Sequence, residues 1–250
     1  MEGTKNKLTG LIILLILPVL MATAQKKDLA YYQCAFYESY RAGDMTPWPG
    51  LIAEMEKVKS TDLAWQTEMV KALYGLVGYE FGAKKKDLAR VYVNKADVYL
   101  DKLLDDHPKN AQLYSLAGAF YGYKIALAFY KAPFLGPKCI YYIEKAMEFD
   151  PIEPMGYIEK GNSLLYRPAA LGGNKREALK LYRKALQLME PHTALKCDWH
   201  QMLLRAFILK SLYETNQTTE ANAFMLAMEK DYGSMDWIRS FVGADLMNGK

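Results

Sequence analysis

His192, Cys197 and His200 form the densest group of metal-ligating side chains in this sequence, spaced H-x4-C-x2-H with Asp198 inside. A structural zinc site takes four such ligands in a tetrahedral array, and no fourth stands at a helix-compatible spacing. An unpaired cysteine beside surface histidines explains the same cluster, so neither a metal nor a cofactor is expected. Other catalytic signals are absent: there is no G-x-G-x-x-G, no phosphate loop, no G-x-S-x-G and no H-E-x-x-H. His107 precedes Pro108, where a helix end would use it to serve terminal carbonyls. Gly75, Gly78 and Gly82 fall on one helix and imply close packing. Asn216-Gln217-Thr218 fits a glycan acceptor, but a turn accounts for it more simply. The chain is therefore read as non-catalytic; an enzyme built on the His192–His200 cluster is the competing class.

The elements that would carry these residues follow a repeat. Gly75, Gly118 and Gly161 are spaced 43 apart, and Pro108–Pro151 and Ala96–Cys139 keep the same interval. A shared period across a glycine, a small residue and a proline marks a copied structural unit whose copies stack. Apolar stripes at helical spacing predict an all-α chain. An irregular leading helix pair covers 28–58, with Leu29, Tyr32, Phe36 and Tyr40 on one stripe and Thr46 and Pro47 opening its second helix. Repeats follow at about 61–108, 110–151, 154–191 and 198–232. In the second of these the partner helix should begin near Pro137. Asn216 fits a left-handed turn, and Ser234 should cap a closing helix over 234–247.

The 250 residues are 51% apolar and 24% charged, enough to bury a sizeable core. Net charge is +4, of which Glu2, Lys5 and Lys7 contribute +1, leaving too little positive charge to imply nucleic acid. Lys5 and Lys7 precede an apolar stretch, Leu11–Met21, then Ala22-Thr23-Ala24 and Gln25. That is the pattern of a signal peptide over 1–24 cleaved after Ala24, in a segment shorter than the roughly 20 residues of a bilayer span. No cysteine follows to mark a lipoprotein. The chain over 25–250 is expected outside the cytoplasm, periplasmic or secreted, with no integral membrane span. Three cysteines cannot all pair within one chain; Cys139 suits a buried thiol, and a Cys34–Cys197 bridge is one open pairing.

The repeat resembles the tetratricopeptide pattern W-x2-L-G-x2-Y, A-x3-F, Ala and a closing Pro. The third unit supplies Tyr157, Gly161, Leu164, Ala178, Tyr182, Ala185 and Pro191. The second supplies Tyr114, Gly118, Tyr121, Cys139, Ile143, Ala146 and Pro151; the first, Gly75, Ala96, Leu100, Leu103 and Pro108. The resemblance implies a right-handed α-solenoid of helix hairpins with a C-terminal capping helix. Units one and two hold about nine surplus residues and the third about five, assigned here to the tips joining paired helices. The third tip, Arg167 to Gly173, leads into L-G-G-N-K-R-E-A-L. That stretch is similar to the periplasmic repeat subunits of TRAP-type transporters.

Tetratricopeptide stacks bind peptides along a concave face lined by first helices, so the resemblance implies a protein or peptide partner there. Counting from each glycine, the groove candidates are Tyr79, Glu80, Tyr123, Asn162, Tyr166, Lys210 and Tyr213, with Arg167 beside them. Tyr79, Tyr123, Tyr166 and Tyr213 would form a ladder of rings, each stacking on a ligand while its hydroxyl bonds to backbone. The plain alternative is that these rings fill the groove. Asn162, Lys210 and Arg167 only approximate a two-carboxylate clamp. A second functional reading is an envelope transporter component that holds a small molecule in an enclosed cavity lined by Tyr123, Tyr130, Tyr166 and Arg167.

Overall fold

The computed structural model describes residues 27–189, 197–243 and 247, and these are all-helical, with no strand among them. The order is α1 (Leu29–Ala42), α2 (Trp48–Lys57), α3 (Leu63–Gly82), α4 (Lys86–Asp106), α5 (Ala111–Leu127), α6 (Ala132–Phe149), α7 (Pro154–Leu165), α8 (Lys175–Met189), α9 (Trp199–Glu214), α10 (Thr218–Tyr232) and α11 (Trp237–Val242). The 1–24 leader and His192 lie outside the described residues.

Helix starts follow local chemistry. The side chains of Asp28, Asp62, Asn110 and Asp198 accept hydrogen bonds from the first-turn amides of α1, α3, α5 and α9. Asn174 does the same for Glu177 in α8. Gly43 ends α1 at φ 74°, and Asn216 turns from α9 to α10 at φ 62°. Two local expectations are corrected. Helix α6 begins at Ala132 and carries Pro137 inside it. Ser234 does not cap the closing segment: α11 starts at Trp237 after Asp236, Ser234 is bonded to the Asp236 carboxylate at 3.3 Å, and Met247 beyond it is also helical.

The surplus residues are also placed differently from expectation. They lengthen the helices: α3 and α4 run 20 and 21 residues and are joined by Ala83–Lys85. Residue counting cannot distinguish a longer hairpin from a longer loop. The second unit places a short turn, Phe129–Lys131, between its helices, and the third a turn over Ala169–Leu171 closed by Gly172 at φ 90°. A Cβ on Gly173 would overlap the carbonyl oxygen of Arg167, so this turn requires glycine there.

α3 packs on α4, α5 on α6, α7 on α8 and α9 on α10, and each second helix also meets the first helix of the next pair. Gly118 and Gly161 let two of these pairs approach: a Cβ would come within 2.6 Å of Ile143 and 2.5 Å of Tyr182, respectively. Gly75 keeps the sequence interval but not the neighbour, because its close contact is Trp48 of α2 at 2.6 Å rather than α4.

The leading pair does more than head the stack. α1 packs on α3 and also on α9, near the other end of the chain. Cys34 and Cys197 form a disulfide across 163 residues, and Gln33 donates to Glu68 of α3 at 3.2 Å. Trp48 meets Trp199 with ring centres 5.0 Å apart, and Tyr40 touches Trp199 and Trp237. Cys139 is a buried free thiol that donates to the Gly118 carbonyl at 3.3 Å. A crosslink closing so long a loop stabilises by about 5 kcal/mol in the chain-entropy limit. Cys34→Ser should therefore lower Tm by roughly 10 °C in a thermal melt; an unchanged Tm would show that the clasp is energetically idle.

Candidate functional site

The first helices converge instead of lining an open trough. Asn162 of α7 sits where they meet. Its Nδ2 donates to both Glu159 carboxylate oxygens at 3.2 Å and to the Tyr74 hydroxyl of α3 at 3.3 Å. Its Oδ1 accepts from the Tyr182 hydroxyl of α8 at 2.7 Å. Tyr123 of α5 donates to the Tyr74 carbonyl at 3.2 Å and stacks on Phe81 at 5.8 Å. His200 of α9 lies against the Tyr74 ring at 5.6 Å. Five helices thus share one hub.

Glu159 is buried, and its desolvation lifts the carboxyl to about 7, against the opposing bonds from Asn162 and Tyr74. Burial also drives His200 down to about 3, helped by the Lys71 charge, so this imidazole is neutral. Lys71 itself is held charged by Glu68 at 3.0 Å. Burial raises the phenols of Tyr74, Tyr123 and Tyr182. None of these groups is poised as a nucleophile, and the hub's geometry is that of a sealed joint.

The eight groove candidates separate accordingly. Asn162 and Tyr123 belong to the hub. Tyr79 is half-buried against the core. Glu80 is buried and faces α4, where it helps raise the Tyr92 phenol. Tyr213 is buried and donates to Asn222 of α10 at 2.6 Å, away from any inner face. Lys210 donates to the Val242 carbonyl at 3.1 Å and pairs with Glu214 at 3.4 Å, which ties down α11. The tyrosine ladder therefore does not form. The residues that close the inner face are Tyr40, Trp48, Tyr74, Glu159 and Tyr182. A carboxylate among the apolar positions Met155, Ile158 and Leu165 of α7 was the available signal for the hub.

Tyr166 and Arg167 remain accessible. They lie at the end of α7, where the third tip meets the α9–α10 turn. Tyr166 keeps 59% of its surface open, while the surrounding protein still desolvates its hydroxyl and raises its pKa together with Glu214. Arg167 donates to Ser163 at 2.7 Å. An open cleft of about 350 Å³ here is lined by Arg167, Lys175, Arg176, Glu214 and Asn216, among others. Glu214 is engaged by Lys175 at 3.2 Å as well as by Lys210. Neither Arg167 nor Arg176 has an acidic partner among the described residues. The enclosed cavity expected from Tyr123, Tyr130, Tyr166 and Arg167 is not present, since Tyr130 and Tyr166 are both exposed. Within the H-x4-C-x2-H cluster, Cys197 is taken by its disulfide and His200 is buried.

No family model matches this chain, and no curated protein matches it. Among solved structures it is similar to the HusA haemophore from Porphyromonas gingivalis, at 17% identity and a TM-score of 0.61, covering 76% of this chain and 96% of that one. At that identity the likeness is one of fold. No described helix is long and apolar enough to cross a membrane.

The hub makes a signed prediction. A carboxyl whose folded pKa is raised costs nothing while both states are protonated, and weakens the fold as pH climbs through the folded value. Between its ordinary 4.5 and about 7, Glu159 should cost up to ~3 kcal/mol at pH 8. Glu159→Gln should raise Tm at pH 8 by several degrees and leave it near wild type at pH 4. Equal effects at both pH values would show that the carboxyl is not buried.

Proposed function

We propose that this chain is an exported, non-catalytic binding protein of tetratricopeptide-like hairpins that holds a flat, partly apolar anion of the porphyrin class at the third tip. The observation that carries this reading is an open cleft lined by Arg167 and Arg176, neither with an acidic partner among the described residues, with the exposed ring of Tyr166 next to Arg167 in the chain. A ring face and adjacent guanidinium groups suit a planar molecule bearing carboxylates. The cleft falls in the size range of small-molecule sites, about 300–1,000 Å³. A fold shared with a protein named as a haemophore supports the same ligand class. The Cys34–Cys197 disulfide supports an oxidising compartment, as the leader sequence does.

Binding of an extended peptide along the inner face is disfavoured, because the hub and the α1–α2 pair occupy that face. Titration with haemin and with metal-free protoporphyrin, followed by tyrosine and tryptophan quenching, tests the proposal. Both should bind saturably, since the contacts invoked are ring stacking and carboxylate pairing. Each charge-assisted bond contributes roughly 1.5–3 kcal/mol, so Arg167→Ala with Arg176→Ala should weaken binding at least tenfold. Absence of saturable binding, or a double variant that binds like wild type, would overturn the reading.

A further inference from the structure

We propose that the tip joining α5 to α6 is a membrane-contact surface that seats its aromatic side chains in the interfacial layer of an anionic phospholipid bilayer. Phe129, Tyr130 and Phe134 are 60%, 77% and 77% exposed within six consecutive positions. Large apolar side chains exposed singly are ordinary; three together at one helix junction are not. The exposed Pro133 lies between them, and the short turn Phe129–Lys131 passes directly into α6. The rings are thus presented on ordered backbone, with little left to order on docking.

Charge selects the occupant. From His107 to Ile143 the sequence has no aspartate or glutamate, while it contains Lys109, Lys124, Lys131 and Lys138. Lys124 is paired with Asp97 at 2.7 Å. Lys131 and Lys138 have no acidic partner among the described residues; they lie 5.9 Å from the ring centres of Tyr130 and Tyr121. None of these residues lines the cleft at the third tip. Aromatic side chains flanked by lysines, with acids excluded, match the headgroup boundary of a negatively charged leaflet. This surface is separate from the Tyr166–Arg167 cleft and does not depend on what that cleft binds.

The test uses protein collected after export and confirmed to start at Gln25, since the leader would itself partition. Flotation is measured with vesicles of phosphatidylcholine alone and of phosphatidylcholine mixed with phosphatidylglycerol. The protein should float with the mixed vesicles, and the floated fraction should fall as salt rises. Phe129→Ser with Tyr130→Ser and Phe134→Ser should cut partitioning at least tenfold, as should Lys131→Glu with Lys138→Glu, with melting curves unchanged because these side chains are exposed. Tyr130→Trp should blue-shift its emission on the mixed vesicles. Failure to float, or a triple variant that floats like wild type, would overturn the proposal. Loss of self-association in the triple variant, when wild type ignores vesicles, would assign the tip to a second copy instead.

Discussion

One amide side chain sets the shape of the molecule. Asn162 uses its donors on Glu159 and Tyr74 and its acceptor on Tyr182, so α3, α7 and α8 are fixed to a common point. Tyr123 and His200 bring α5 and α9 to the same place. Buried polar groups are tolerable only when partnered, and an asparagine with several partners specifies one geometry strongly. The cost lies in Glu159, a buried carboxylate whose hydrogen-bond partners are an amide and a phenol rather than a cation. That arrangement favours a proton on the carboxyl near neutrality. The aromatic cluster of Tyr40, Trp48 and Trp199, with the disulfide beside it, then closes α1 against α9.

Closure removes the inner face as an open groove. Stacked helix pairs ordinarily leave their first helices facing a groove, and here that face is sealed by the chain's own side chains. Two accessible aromatic surfaces lie at the ends of the pairs. The third tip carries a ring, two arginines and a turn that needs glycine at 173; the second carries three rings and two lysines. Both are cationic and aromatic, yet one borders a cleft and the other exposes three rings.

Much of the helix layout was legible from local chemistry. Asp62, Asn110, Asn174 and Asp198 mark helix starts by side-chain capping, and Asn216 marks a tight turn; these depend on neighbours within a few residues. Gly118 and Gly161 likewise announced close crossings. The hub was not legible, because Tyr74 and Asn162 are 88 residues apart and helical periodicity carries no information on which helices reconverge. The same holds for Cys34 and Cys197. Tyr213 shows the limit at a single position: a tyrosine at groove spacing packs on a neighbouring helix just as readily as it meets a ligand. Glu80 fails similarly, since a buried acid facing α4 has the same sequence spacing as one facing outward. Tyr166 stays exposed because it sits where α7 ends and side chains cannot all be covered.

A closed inner face would leave haemin to meet the chain at the third tip. Backbone hydrogen–deuterium exchange with and without haemin addresses it directly. The account predicts new protection over Tyr166–Arg176 and the Glu214–Asn216 turn, with exchange around Tyr74 and Tyr123 already slow and unchanged. Protection that appears instead along α3, α5 and α7 would contradict it and restore an open groove.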